Sequence, residues 1–524
     1  MSSRTHRSGF AAVLHVQLRT GWKAVVIWIV ALLGGYIATV GAIDGLYPTA
    51  EQLATYDATV ASDPAMAAIN GTPYGADTLG GVTSNEFGFI SAIAIPLMGL
   101  LLVVRQTRAQ EESGMLELLR SRGVGARAPW AAAATVAVTA LVVVAAGMAL
   151  TLIAYGEDAG GALLYGASIA GLGVVFVGLA TFVGQLLRRA GTVTGLGILV
   201  LGAAYITRAI GDVRDNGWKW LSPLAWQQET RPFTDEPRLW PLALAVAVAA
   251  VLIAAGLVLV GRRDLGAAMV SARSGPARAS GLLRTTPGLV LRMHAPSGAA
   301  WVAGSFVVAA VFGAFTDDIA EAISANPAME AFFGGASSVN DAYAALTLVL
   351  VVLMAIGVIG QGLGRVRSEE IDGRLEPTLA RSIARAWWLA SHAAVMAVFA
   401  AATLLAGTAG LQATAGTEVD GVLAAGAAYL PALLVVLGLA VALFGALPRS
   451  TAVIWIVLGY IAFVAILGDT VSLPDWAMTL SPVHAVGRVP SEDVSVAAEW
   501  VLGGIGAALL AIGFVGFRAR NIPR

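Results

Sequence analysis

The apolar positions of this chain fall in long runs parted by short polar breaks. Residues 25–40, 90–104, 131–154 and 242–260 each approach or exceed the roughly 18–20 residues that a bilayer-spanning helix needs. Such runs number about six in each half and about twelve in all. The pattern predicts an all-α polytopic membrane protein. A stretch at 10–22 leads into the first run, and no clear small-residue cleavage site follows it. The first run is therefore expected to remain as a span.

The chain also repeats itself. Gly114-Met115-Leu116-Glu117 returns as Gly373-Arg374-Leu375-Glu376, and Leu221-Ser222-Pro223 as Leu480-Ser481-Pro482. Both pairs, and Thr192 with Thr451, are about 259 positions apart, the mark of a tandem duplication. Asp63-Pro64-Ala65-Met66 against Asn326-Pro327-Ala328-Met329 is a further echo slightly off that register. An even number of spans per repeat gives two parallel six-helix halves, related by an axis along the membrane normal. The expected division is a first half at 1–264, a cytoplasmic linker with an interfacial helix at 265–298, and a second half at 299–524. Each half is expected to open on an amphipathic stretch (10–19; 283–292). Phe10, Val13, Leu14 and Leu18 would face lipid and Arg19 water, as in a helix lying in the interface. The alternative is that these are the first turns of tilted spans.

Composition agrees with the pattern. Apolar residues make up 57% of the chain and charged residues 12%, and mean hydropathy is +0.78, which excludes an ordinary soluble domain. Cysteine is absent, which removes disulfides, thiol chemistry and thiolate metal sites. The basic residues are sorted by side. Most of the 32 Lys and Arg fall in the N-terminus, 105–127, Arg188-Arg189, 262–292, 365–385, Arg449 and the tail from Arg518. The loops on the other side are acidic: Asp44, Glu51, Asp57, Asp63, Asp77 and Glu86 in one, Asp317, Asp318, Glu321, Glu330 and Asp341 in the other. The positive-inside rule then puts both termini in the cytoplasm.

The strongest functional signal lies between the second and third spans. The first copy reads Glu111-Glu112-Ser113-Gly114-Met115-Leu116-Glu117-Leu118-Leu119-Arg120. The second reads Glu369-Glu370-Ile371-Asp372-Gly373-Arg374-Leu375-Glu376-Pro377-Thr378-Leu379. Carboxylates come first and arginines last (Arg120 and Arg122; Arg381 and Arg385), which suits a short helix dipole. Leu116 with Leu119, and Leu375 with Leu379, make an apolar stripe. A short amphipathic helix projecting from a span is a lever for a partner protein. A solvated connector would carry similar charges, but two copies at matching positions favour the lever.

Acidic residues followed by Gly-x-Leu-Glu at the end of the second of six spans resemble the permease subunits of type V fold ATP-binding-cassette exporters. The doubled, Arg-rich and Lys-poor form is similar to actinobacterial polyketide-antibiotic and multidrug exporter permeases. The resemblance covers nearly the whole chain. It implies that Glu111, Glu112, Gly114, Leu116, Glu117 and Leu119, with Glu369, Glu370, Gly373, Leu375, Glu376 and Leu379, form two coupling helices docking into two copies of a separate nucleotide-binding ATPase subunit. That family usually has Glu four and two residues before the Gly. This chain has Gln110 and Glu112, then Glu369 and Ile371, so the two docking surfaces are expected to be unequal.

The same resemblance implies a substrate cavity between the halves, lined by spans one, two and five. Trp28, Tyr36, Phe89, Met98, Tyr205, Met354, Trp455 and Tyr460 would lie near it. Leu221, Ser222 and Pro223, with Leu480, Ser481 and Pro482, would belong to short re-entrant helices forming an outer gate. An aromatic-anchored loop broken by Pro223 and Pro482, with Trp218, Trp220 and Trp226 in the headgroup layer, is the alternative.

The chain carries no ATP site of its own. A phosphate-cradling loop needs Gly-Lys followed by Ser or Thr. The lysines are Lys23 and Lys219, and neither follows a glycine. ATP and Mg are then expected on the partner, with no cofactor, metal or catalytic residue in this chain. The expected role is the membrane subunit of an ATP-driven exporter of apolar or amphiphilic, drug-like small molecules in the bacterial plasma membrane, with no nucleic-acid partner. An ion-coupled secondary multidrug antiporter is the rival. It needs ionisable residues at membrane depth, where this sequence offers mostly Gln185 and Gln361, with His392, Arg208, Asp317 and Asp469 nearer span ends. An embedded enzyme is disfavoured, because His6, His15, His294, His392 and His484 are scattered without metal-ligand spacing.

Overall fold

The apolar runs become long helices in the computed structural model, which describes residues 2–60, 64–270, 277–314, 316, 339–380, 383–415, 421–467, 473–492 and 494–521. Asp63, Asp317, Asp318, Glu321, Glu330, Arg381, Asp469 and the Asn326 echo lie outside the described residues. No strand forms among the described residues. Helices are what lipid demands, because each must satisfy its own backbone hydrogen bonds.

The chain divides into two compact units, Met1–Ser274 and Gly275–Arg524. The first holds α1 (Ser2–Leu46), α2 (Gly88–Gln106), α3 (Met115–Arg120), α4 (Ala128–Ala154), α5 (Ala159–Leu186), α6 (Ala190–Val213), α7 (Pro223–Gln228) and α8 (Trp240–Val260). The second holds α9 (Thr286–Gly313), α10 (Val339–Ile371), α11 (Leu375–Leu379), α12 (Arg385–Thr414), α13 (Leu430–Ala446), α14 (Val453–Leu467) and α15 (Val496–Ala519). Among the described residues, eleven helices are long and apolar enough to span, and α14 is a shorter apolar helix at the position of a fifth span in the second unit. The short helices α3 and α11 stand at equivalent places, between the second and third spans of their units.

The amphipathic stretches are not separate interfacial helices. α1 runs unbroken for 45 residues, roughly 68 Å at 1.5 Å per residue. That length exceeds a hydrocarbon core of about 30 Å. Val13 does not face lipid, being 1% exposed. One turn on, Gln17 donates to the carbonyls of Gln106 (3.2 Å) and Pro129 (3.1 Å), so this end of α1 is packed against α2 and α4. In the second unit, α9 begins behind a Thr285 cap that accepts from Gly288 N, and it passes through residue 298 without a break.

Small residues set the closest helix contacts. The fourth and sixth spans of the second unit, α13 and α15, meet backbone to backbone. A Cβ on Gly445 would lie 2.0 Å from the Gly513 carbonyl. In the first unit a Cβ on Gly256 of α8 would lie 2.7 Å from the Thr181 carbonyl of α5. Such approaches replace the hydrophobic driving force that lipid cannot supply.

The loop between the fifth and sixth spans of the first unit is held by one buried carboxylate. Glu229 is 2% exposed. It pairs with Lys219 (2.7 Å), Arg231 (2.9 Å) and Arg238 (3.2 Å) and accepts from the Tyr74 hydroxyl (2.8 Å). Burial alone would raise its pKa. The Lys219 and Tyr74 hydrogen bonds and the Lys219 and Arg231 charges outweigh burial and hold it below its usual 4.5. A depressed carboxyl contributes stability that is complete above the unfolded value and is lost as pH falls through the folded one. Glu229→Gln is therefore expected to cost roughly 2–3 kcal/mol at neutral pH. In thermal unfolding the gap between variant and parent should narrow on acidification below pH 4.5. A gap independent of pH contradicts this account.

Candidate functional site

The segments around α3 and α11 share one construction. Gly114 and Gly373 adopt left-handed φ values of 74° and 70°. An added Cβ would meet nothing within 4 Å at either position, so the backbone turn, not space, requires glycine. Two residues on, Leu116 and Leu375 are buried at 2% and 1% exposure. These leucines seat the short helices.

Three residues before each glycine a glutamate is locked inside. In the first unit Glu111 pairs with Arg108 (3.0 Å), with Arg263 through both terminal guanidinium nitrogens (2.7 and 2.9 Å), and accepts from Gly266 N (2.8 Å). Its side chain is 2% exposed and the arginine side chains are 1% and 4% exposed. Arg108 also donates to the carbonyls of Gly184 (2.5 Å) and Ala267 (3.0 Å), and Arg263 to Gln185 Oε1 (2.7 Å). In the second unit Glu370 pairs with Arg367 (2.7 Å) and, bidentately, with Arg520 (2.8 and 3.0 Å). Each clamp thus joins an arginine one turn before the glutamate to another just past the sixth span.

Sequence reasoning placed Glu111 and Glu370 on the docking surface, and the structure corrects this: their oxygens are spent inside the unit. It missed Arg108, Arg263, Arg367 and Arg520. Arg108 and Arg367 carry the same offset as the glutamates and were findable by it. Arg263 and Arg520 do not share that offset and come from distant sequence, so nothing local marked them.

The exposed face of each lever also differs from the expected stripe. In the first unit Leu116 is buried and Leu119 half-buried, while Met115 (53%), Leu118 (66%) and Glu117 are exposed. Glu112 is exposed and accepts from Ala190 N at the start of α6 (2.8 Å). In the second unit Leu379 is half-buried, and Ile371 (68%), Glu376 and Pro377 are exposed. Arg374, in the place of Met115, bridges Glu369 and Asp372 (both 2.8 Å). One face presents two bare apolar side chains, the other a paired arginine.

Residues 283–518 match the family model for the multidrug efflux system permease Rv1217c, C-terminal domain. The multidrug efflux system permease protein Rv1217c of Mycobacterium tuberculosis (strain ATCC 25618 / H37Rv) is 32% identical over 530 residues, covering 98% of this chain and 95% of that protein. The chain belongs to the multidrug efflux permease family. It is a multi-pass membrane subunit of efflux transport.

In this permease the residues expected along a substrate path do not share one environment. Tyr36 and Met98 are fully buried in the core of the first unit, Tyr36 between Phe87 (5.2 Å) and Tyr165 (6.1 Å), and so line no open surface. Trp28, Tyr205, Met354 and Tyr460 are half-buried. The Tyr205 hydroxyl donates to the Ile69 carbonyl (2.6 Å) and that of Tyr460 to the Ala477 carbonyl. Phe89 (38%) and Trp455 (55%) are exposed.

The two Leu-Ser-Pro elements of the permease keep one pattern. Leu221 and Leu480 are exposed, at 70% and 69%, while Ser222 and Ser481 are fully buried. Ser222 caps α7 by accepting from Leu224 N (3.2 Å), and Ser481 accepts from His484 N (3.5 Å). Pro223 does not break a helix but opens one, at its first position. Pro482 precedes the short turn His484–Val486. Two of the scattered histidines meet: His294 Nε2 and His392 Nδ1 lie 3.1 Å apart, buried between α9 and α12, with Trp388 over the His392 ring at 4.4 Å. Their separation of 98 positions hid the pair.

Proposed function

We infer that the permease is the membrane subunit of an ATP-driven exporter, with two copies of a separate nucleotide-binding ATPase docked on α3 and α11. One observation carries the reading. A short helix, set off by a left-handed glycine and braced by a buried glutamate clamp, recurs between the second and third spans of both units. A connector needs no such bracing, whereas a helix that takes load does. ATP and Mg would be bound by the partners, and this chain would have no hydrolytic role. The sorted basic residues support a bacterial plasma membrane location with both termini in the cytoplasm. The name of the Mycobacterium tuberculosis relative supports drug-like substrates, and the apolar, aromatic spans suit apolar or amphiphilic ones.

The test is reconstitution of the permease with its nucleotide-binding partner in vesicles. ATP-dependent movement of a fluorescent amphiphilic dye is expected, and none without the partner. The buried His294–His392 pair favours a second reading, a proton-coupled antiporter, because such machines carry protons on titratable groups buried among their spans. Dye transport by the permease alone under a proton gradient, abolished in His392→Phe, would replace the first reading with the second.

A further inference from the structure

α3 and α11 are too short to be stiff on their own. They span six and five residues, and the space that a side chain would fill at the glycine joints beside them is open. The segments that lead into them are tied to the ends of the sixth spans, through Glu111 just past α2 and Glu370 in the last turn of α10. Arg263 follows α8 and Arg520 follows α15, about 150 positions from the glutamates they grip. Both grips are bidentate; that of Arg263 is withdrawn from water, where charge-assisted hydrogen bonds are strongest, while Arg520 is 12% exposed. Arg520 is itself fixed by the rings of Phe444 (4.9 Å) and Phe517 (5.2 Å), and its carbonyl accepts from Arg385 (2.8 Å) at the start of α12. Beyond the clamp, the sixth span lies against the fourth at contacts too close for a side chain.

We propose that Arg263 and Arg520 are positioning residues that lock the root of each coupling helix, at the end of the second span, to the sixth span of its own half, so that a push on α3 or α11 enters the membrane through the second and sixth spans together. The proposal rests on the ATP-driven reading above. The left-handed glycines set where the levers point, and the clamps decide what moves with them. A lever tied only through its flanking loops would yield under load, since packed interiors transmit displacement and open turns do not.

The natural chain has no cysteine, so labelled positions are unambiguous. Ala380→Cys and Arg518→Cys, both exposed, place spin labels at the ends of α11 and α15 in the full complex with its nucleotide-binding partner in lipid nanodiscs. The distance between them is expected to stay the same in the nucleotide-free and ATP-trapped states. Adding Arg520→Gln should broaden or shift it. The same substitution in unlabelled protein should leave partner binding and ATP hydrolysis in place while transport per ATP falls roughly tenfold, the scale of a lost coupling term. Arg520→Lys, which keeps one of the two bonds, should recover part of that loss. A parent distance that changes on ATP trapping overturns the proposal, as does a parallel fall of hydrolysis and transport in Arg520→Gln. A parent permease that moves dye without any nucleotide-binding partner overturns the functional reading instead.

Discussion

Replacing Glu111 with alanine is expected to be the most damaging single change in the first unit. The substitution removes the acceptor of bonds from Arg108, both terminal nitrogens of Arg263 and the Gly266 amide. It leaves two guanidinium groups buried without counter-charge. Breaking a buried ion pair on one side costs about 3–5 kcal/mol, because the abandoned charge stays out of water. Glu370→Ala should cost less, roughly 2 kcal/mol, since its partners Arg367 and Arg520 are 25% and 12% exposed and water can reach them. Thermal unfolding of both variants in the same detergent measures the order. Equal losses, or a larger loss for Glu370→Ala, would mean that depth of burial does not set the strength of these clamps.

The fold was legible because it depends on long-range averages. Runs of apolar residues long enough to span, sorted basic loops and one repeated offset are properties of many positions, and no single residue decides them. The site was legible only where geometry is local. Gly114 and Gly373 stood out because a left-handed turn leaves its mark at one position. The clamps did not, since Arg263 and Arg520 reach their glutamates from about 150 positions away. Nor did the histidine pair, where two helices bring together residues that share no motif. The face of α3 was misassigned for a different reason. Leu116 and Leu119 are three apart and read as one stripe. On a six-residue helix pressed against its unit, that stripe is the seat, and what remains for a partner is the side between.

That geometry sets a test on a single helix. Met115 and Leu118 are also three apart and so share a face, rotated from that of Leu116, and both are more than half exposed. A bare apolar pair on a charged surface is what a partner groove takes as its anchor, and a central anchor that carries about 2 kcal/mol of binding is worth roughly a thirtyfold change in affinity. Met115→Asp with Leu118→Asp is therefore expected to abolish co-purification of the nucleotide-binding subunit and ATP-dependent transport while leaving the thermal midpoint of the isolated permease unchanged. Leu116→Asp should do the reverse in order. It puts a carboxylate where the side chain is 2% exposed and lowers the midpoint first, with docking lost only as a consequence of unfolding. The second unit predicts a weaker response, because Arg374 and Pro377 stand where Met115 and Leu118 stand in the first, and a paired arginine at a rim contributes little. A partner that still binds the Met115 and Leu118 double variant must be gripping the levers by the seated face, and α3 would then have to leave its unit in order to dock.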